Sequence, residues 1–138
     1  NNSNGLLFFS RYQDSETTYY VGIRVDGYAV IKKKVHGAYF TLRDKKIITN
    51  GMYQRNTRPN LLPMNVWIGL KSVINDEENE KVKISVYTDI GKTNSWILAA
   101  EVVDDGSRGG KPISQKGSAG IRTDFMDVEF QEYVVNAL

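Results

Sequence analysis

The chain has 138 residues, of which 41% are hydrophobic and 25% are charged, values typical of one soluble globular domain and not of a disordered or fibrous chain. Its 18 Lys and Arg against 16 Asp and Glu give a formal net charge of +2, which is too near balance to indicate nucleic acid as a partner. No cysteine is present, so disulfides, thiolate metal sites and cysteine nucleophiles are excluded.

The first residues read NNSNG and contain no Met. This start indicates either a processed secreted protein or a domain cut from a longer chain, so we expect one domain over residues 1–138 in an extracellular or cell-surface location. No apolar run approaches the roughly 20 residues that a membrane-spanning helix needs. Membrane insertion is therefore not expected.

Runs of β-branched and aromatic residues between turn formers predict strands along the whole chain, and no stretch keeps an apolar face at helical spacing. Nine strands in one domain of this size favour an all-β, two-sheet antiparallel sandwich or jelly roll. In chain order, the predicted strands cover 6–12, 18–25, 28–35, 38–44, 66–74, 81–89, 95–103, 119–123 and 127–135.

Two Gly-containing dipeptides, Asp26-Gly27 and His36-Gly37, separate neighbouring strands and predict two-residue hairpin turns. A two-residue turn at the first of them places Val21 opposite Lys32 and Tyr19 opposite Lys34, so that apolar groups and lysines share one face. Either a bulge shifts this register, or the outer face of the sheet is a groove that uses both aromatic and basic groups.

Long loops rich in Gly, Pro and Asn are predicted at 50–64 and 104–118, and such loops often carry function on a rigid scaffold. Calcium takes about six to eight oxygen ligands from carboxylates and carbonyls. The candidate ligands of a structural calcium are Asp104, Asp124 and Asp127. The alternative is that these acids are ordinary solvated residues of loops and turns.

Catalytic signals are weak. His36 is the single histidine, and its place in a predicted turn favours a conformational role over that of a general base. Asp127 and Glu129 stand two apart on a predicted strand and so share a face at about 6–7 Å, a spacing compatible with a glycosidase pair but equally with any exposed acidic strand.

Aromatic and basic side chains on a sheet suit carbohydrate, because the apolar face of a sugar stacks on rings while its hydroxyls bond to polar groups. Tyr20 and Arg24 alternate with apolar residues and are expected on the exposed side of their strand. Trp67 and Trp96 lie in apolar strands and are expected in the core. The predicted carbohydrate-binding residues are Arg11, Tyr20, Arg24, Lys33 and Tyr53.

Two segments resemble one known family. LLFFSRYQDSETTYYVGIRVDGYAVIKKKVHGAYFTL, residues 6–42, is similar to the central strands of concanavalin A-like (laminin-G-like) jelly-roll domains, and GSAGIRTDFMDVEFQEYVV, residues 117–135, is similar to their closing segment. The one or two leading strands usual in that family are absent. We therefore expect a fragment, a rearranged variant, or a jelly roll whose front strand comes from another polypeptide. A sheet edge left unpaired would be open to a second copy or a neighbouring domain.

Members of that family bind glycans or proteins, cleave polysaccharides, or accompany enzymes, so the resemblance indicates a fold more than a function. Our leading expectation is a secreted, non-catalytic, lectin-like module that binds a polysaccharide. One alternative is a polysaccharide lyase or glycoside hydrolase acting on an acidic glycan, with Tyr53 as proton donor or base and His36 assisting. The other is a structural or protein-binding sandwich.

Overall fold

The computed structural model describes residues 4–124 and 126–137, and these form two antiparallel sheets. The larger has five strands in the order β4-β3-β2-β1-β8, and the smaller has three in the order β5-β6-β7. This confirms the predicted all-β sandwich. The described part of the chain contains no helix that could cross a membrane. The strands are β1 (Gly5–Asp14), β2 (Thr17–Arg24), β3 (Tyr28–Val35), β4 (Ala38–Lys46), β5 (Ile68–Glu77), β6 (Lys81–Ile90), β7 (Ile97–Asp104) and β8 (Ser118–Thr123).

The hydrophobic core lies between the two sheets, where β7 faces β3 and β4, β6 faces β3, and β5 faces β2. Because side chains alternate along a strand, every second residue of β2, β3 and β6 points into this layer. The apolar side chains buried there from these three strands are Tyr19, Val21, Ile23, Ala29, Ile31, Val82, Ile84 and Val86.

The first eight predicted strands are present, with ends that differ by up to three residues. The ninth, at 127–135, is wrong: this segment carries no strand pairing. It is held by side chains instead, since the Tyr133 ring lies 6.3 Å from that of Phe8 and Glu132 pairs with Lys92 at 2.9 Å. Glu132 also has a φ of 55°, which interrupts an extended backbone.

The register of the β2–β3 hairpin differs from the predicted one by one residue. Val25, Asp26 and Gly27 all lie in the turn, and Tyr19 pairs with Lys33. The Asp26 carboxylate organises this longer turn by accepting hydrogen bonds from the Arg24 guanidinium and from the backbone N–H of Tyr28. This register places Lys32 on the outer face beside Tyr20 and leaves Lys33 on the core face opposite Tyr19.

The second predicted turn is confirmed. His36 and Gly37 both adopt positive φ, at 48° and 79°, as a type I′ turn requires. They join β3 directly to β4, with Val35 paired to Ala38. The meander of β2, β3 and β4 is thereby fixed, and the even-numbered residues of β3 face away from the core.

Candidate functional site

The outer face of the five-stranded sheet carries aromatic and cationic side chains from five strands. Tyr20 on β2 pairs with Lys32 on β3, and Lys34 pairs with Tyr39 on β4. On the other side, Leu7 of β1 pairs with Arg122 of β8. We call the following residues the outer-face cluster: Phe9, Tyr12, Tyr20, Arg24, Tyr28, Lys32, Lys34, Tyr39 and Arg122.

Four rings of this cluster form a continuous row across the sheet. The Phe9 ring lies 5.6 Å from Tyr12 and 4.8 Å from Tyr20, and Tyr20 lies 5.5 Å from Tyr39, between ring centroids. Tyr20 is only 5% exposed, whereas Tyr39 is 51% exposed. The row thus has an anchored centre and an accessible end, which is what stacking on a ligand requires.

The hydroxyls of Tyr20 and Tyr39 are joined to a guanidinium. Arg122 donates a hydrogen bond to the Tyr20 hydroxyl, which lies 3.4 Å from the hydroxyl of Tyr39. The Arg122 guanidinium also sits 5.4 Å from the centroid of the Tyr20 ring and bonds to Asp124 at 2.9 Å. This network fixes the direction in which Tyr39 presents its hydroxyl.

The two phenols of the network differ in acidity. Burial, then the hydrogen bond to Tyr39, raises the pKa of Tyr20 to about 12. For Tyr39, burial acts upwards, but the hydrogen bond from Tyr20 and the charges of Lys34 and Arg122 outweigh it and lower the pKa. The accessible phenol is therefore the more acidic of the two.

A second group of charges lies beside the row of rings. Arg24 pairs with Asp26 at 2.5 Å, and its guanidinium lies 5.4 Å from the centroid of the Tyr28 ring. Lys32, on the neighbouring strand, is only partly exposed, and burial followed by the like charge of Arg24 lowers its pKa. The outer-face cluster therefore combines stacking surfaces, hydroxyls and cations on one open sheet face.

Tyr20 and Arg24, both predicted as binding residues, do share this face. Lys33 does not, and the expectation that it neighbours Tyr20 is wrong. With the register shifted by one residue, Lys33 points into the core and is 0% exposed. Its Nζ lies 2.8 Å from the Asp104 carboxylate and donates to the carbonyl of Gly110 at 2.7 Å.

Arg11 and Tyr53 also lie away from the outer-face cluster. Arg11 sits in a β-bulge with a φ of 50°. Its guanidinium bonds to Asp76 of the smaller sheet at 2.7 Å and to the carbonyl of Ile113 at 2.9 Å. Tyr53 packs against the core, and its buried hydroxyl has no hydrogen-bond partner in the part of the chain that is described. The lyase role predicted for Tyr53 therefore lacks an accessible phenol.

The three predicted calcium ligands are not brought together. Asp104 is buried in its pair with Lys33, Asp124 accepts from Arg122, and Asp127 is exposed in the C-terminal segment. Within residues 4–124 and 126–137, no three His, Cys, Asp or Glu side chains are grouped so as to hold a metal ion. His36 is exposed at its turn.

Both tryptophans are surface residues, contrary to their expected place in the core. Trp67 is 44% exposed and Trp96 is 43% exposed. The Lys71 ammonium lies 4.8 Å from the ring centroid of Trp96 and 4.7 Å from that of Tyr87, on the outer side of the smaller sheet. This second exposed aromatic surface carries fewer hydrogen-bonding groups than the outer-face cluster does.

Sequence reasoning missed Tyr39, Lys32 and Arg122. Alternation along β3 and across the His36-Gly37 turn does place Tyr39 and Lys32 on one face. That this face is the one that carries Tyr20 depends on the β2–β3 register, which the sequence did not predict correctly. Arg122 carries no sequence signal, because its contact with Tyr20 joins residues 102 positions apart.

Comparison with known proteins adds no assignment. No family model matches this chain, and no match was found among curated proteins or solved structures.

Proposed function

We propose that this protein is a non-catalytic, lectin-like module of the concanavalin A-like (laminin-G-like) type, extracellular or on the cell surface, that binds a polysaccharide on the outer-face cluster. The supporting observation is the row of rings that runs from Tyr12 to the exposed Tyr39 and is flanked by Arg122. The exposed sheet edges remain the proposed route to a second copy or a neighbouring domain.

The chemistry of the cluster fits a sugar polymer. The face of Tyr39 offers an apolar surface for the C–H side of a sugar ring. Its hydroxyl, the Arg122 guanidinium and the Lys32 ammonium offer donors for sugar hydroxyls. An open sheet face lets a long chain pass across the site, and because Tyr20 and Arg122 are held in place, little side-chain freedom is lost on binding.

The test is affinity electrophoresis and calorimetry of the purified protein against soluble neutral and acidic polysaccharides. Tyr39→Ala is expected to weaken binding about tenfold, equivalent to roughly 1.4 kcal/mol, because it removes the accessible ring. Trp96→Ala is the matched control, since it removes an exposed ring from the opposite side of the sandwich. Binding that survives Tyr39→Ala and fails in Trp96→Ala would move the site to the smaller sheet.

A specific observation also favours an enzyme acting on an acidic glycan as the second candidate. Tyr39 is exposed, its pKa is lowered, and it is linked to a guanidinium, which suits a base that abstracts a proton next to a carboxylate. Loss of polymer length together with ultraviolet absorbance from an unsaturated product would establish lyase action. Polymer binding without either signal supports the module, and no response to any glycan supports a structural or protein-binding sandwich.

A further inference from the structure

We infer that the glycan bound by the outer-face cluster is acidic, and that a carboxylate or sulfate group of one sugar unit binds at Lys32, on the side of the cluster that holds Tyr39. This inference rests on the proposed function and names its substrate class. It follows from how the cations of the cluster are partnered.

Three of the four cations in the cluster already have a carboxylate partner. Arg24 pairs with Asp26 at 2.5 Å, and Arg122 pairs with Asp124 at 2.9 Å. Lys34 lies 3.6 Å from Glu16 and donates to the carbonyl of Ser15 at 2.6 Å. Among the described residues Lys32 is the cation of the cluster that forms no ion pair, so it is available to an external anion. The carboxylates of those pairs are Glu16, Asp26 and Asp124.

Lys32 is also partly buried, between strands β2 and β4. A partly desolvated ammonium interacts more strongly with an anion than an exposed one does, because the local dielectric constant is lower. Burial and the charge of Arg24 both act against its protonated form, while Tyr39, Asp26 and Asp44 favour it. A ligand carboxylate or sulfate at this position would supply the missing countercharge.

The surroundings of Tyr39 also favour a negative charge on this part of the cluster. Tyr39 is on β4, whereas Lys32 is on β3. The charges of Lys34 and Arg122 stabilise the ionised form of the Tyr39 hydroxyl. Lys34 also holds its ammonium 5.1 Å from the centroid of the Tyr39 ring. A negatively charged group is thus favoured beside the exposed ring as well as beside Lys32, and one sugar unit stacked on Tyr39 can present its acidic substituent to both.

The experiment compares polymers that share a backbone and differ in charge. Polygalacturonate and alginate are each tested beside their methyl esters, and chondroitin sulfate beside desulfated chondroitin, by calorimetry with the whole chain. At least one acidic polymer is expected to bind about tenfold or more tightly than its neutralised form. The carboxylate and sulfate pairs distinguish the two sources of negative charge.

Lys32→Gln is expected to remove that preference, so that the acidic polymer binds this variant no more tightly than its neutralised form does. Lys71→Gln, which removes a cation from the opposite sheet, is expected to keep the preference. If every neutral polymer binds as well as its acidic partner, or if Lys32→Gln retains the preference, this inference is wrong although carbohydrate binding stands. If no polymer binds at all, the proposed function fails with it.

Discussion

At the residue scale, Lys33 is the side chain whose burial most needs compensating contacts, because a fully buried ammonium is tolerated only when it is paired and hydrogen-bonded. Its Nζ reaches both oxygens of the Asp104 carboxylate, at 3.0 and 2.8 Å, and the carbonyl of Gly110 at 2.7 Å. The Asp104 carboxylate also accepts from the Tyr19 hydroxyl at 2.6 Å. The N–H donors of the Lys33 ammonium therefore find their hydrogen-bond acceptors within the protein.

Breaking this pair from one side is expected to be costly. Lys33→Met should lower the free energy of unfolding by about 3–5 kcal/mol, because Asp104 is left as a buried, uncompensated charge. The double variant Lys33→Met/Asp104→Asn should lose less than the sum of the two single losses, since neither charge then remains. Urea denaturation of the three variants measures the coupling. Strict additivity would show that the two groups do not interact.

At the element scale, the two hairpins of the β2–β3–β4 meander show how much a turn can be read from sequence. His36-Gly37 has two residues with positive φ and follows the expected type I′ geometry. In the other turn Val25 is 4% exposed and leaves the strand pairing. No propensity marks an apolar Val as a turn residue, so the register of β2 against β3 could not be predicted.

The sequence therefore predicts where the strands lie better than it predicts which side of the sheet each side chain occupies. Alternation of apolar residues located eight strands, and it placed Tyr20 and Arg24 on the outer side of β2 correctly. Lys33 was misplaced by one residue of register. Trp96 was misplaced for another reason: it precedes β7, and its ring lies over Gly69, where an added Cβ would be 2.9 Å away. The aromatic ring that packs over a glycine is determined by which strands pair with each other. A single sequence does not reveal that pairing.

The His36 turn provides a test at this scale. His36 holds a φ of 48°, which costs less for Asn than for His. His36→Asn is therefore expected to stabilise the protein by about 0.5 kcal/mol, and Gly37→Ala to destabilise it by about 1 kcal/mol because of the φ of 79°. Thermal and urea unfolding measure both changes. A loss of stability in His36→Asn would indicate that the imidazole makes a contact of its own.

At the scale of the whole molecule, one buried polar network joins the two sheets and a loop. Tyr19 comes from β2 and Lys33 from β3 of the larger sheet, and Asp104 comes from the end of β7 in the smaller one. The Tyr19 hydroxyl accepts from the backbone N–H of Ile113 at 2.9 Å, and Lys33 holds Gly110. The Gly-rich loop between β7 and β8, expected as a functional loop, is thus tied to the core.

This attachment should be visible in limited proteolysis. Arg108 and Lys116 are exposed sites for trypsin within the loop, and a loop of this composition would be cut rapidly if it were free. We expect the wild-type loop to resist cleavage under native conditions. Its backbone is held by Tyr19 and Lys33 inside the core and by Gln13, whose side-chain amide donates to the Lys116 carbonyl at 3.0 Å.

Tyr19→Phe removes the acceptor for Ile113 and one donor to Asp104 without changing the shape of the core. Lost hydrogen bonds of this kind contribute about 1–1.5 kcal/mol, so cleavage at Arg108 should accelerate about tenfold when local opening precedes the cut. Tyr87→Phe, on the outer side of the smaller sheet, is the control and should cleave as slowly as the wild type. Mass spectrometry of the first fragments identifies the bond that is cut.

Equal rates for Tyr19→Phe and Tyr87→Phe would mean that the loop is held by its surface contacts alone, and that the buried network stabilises the sheets without reaching the loop.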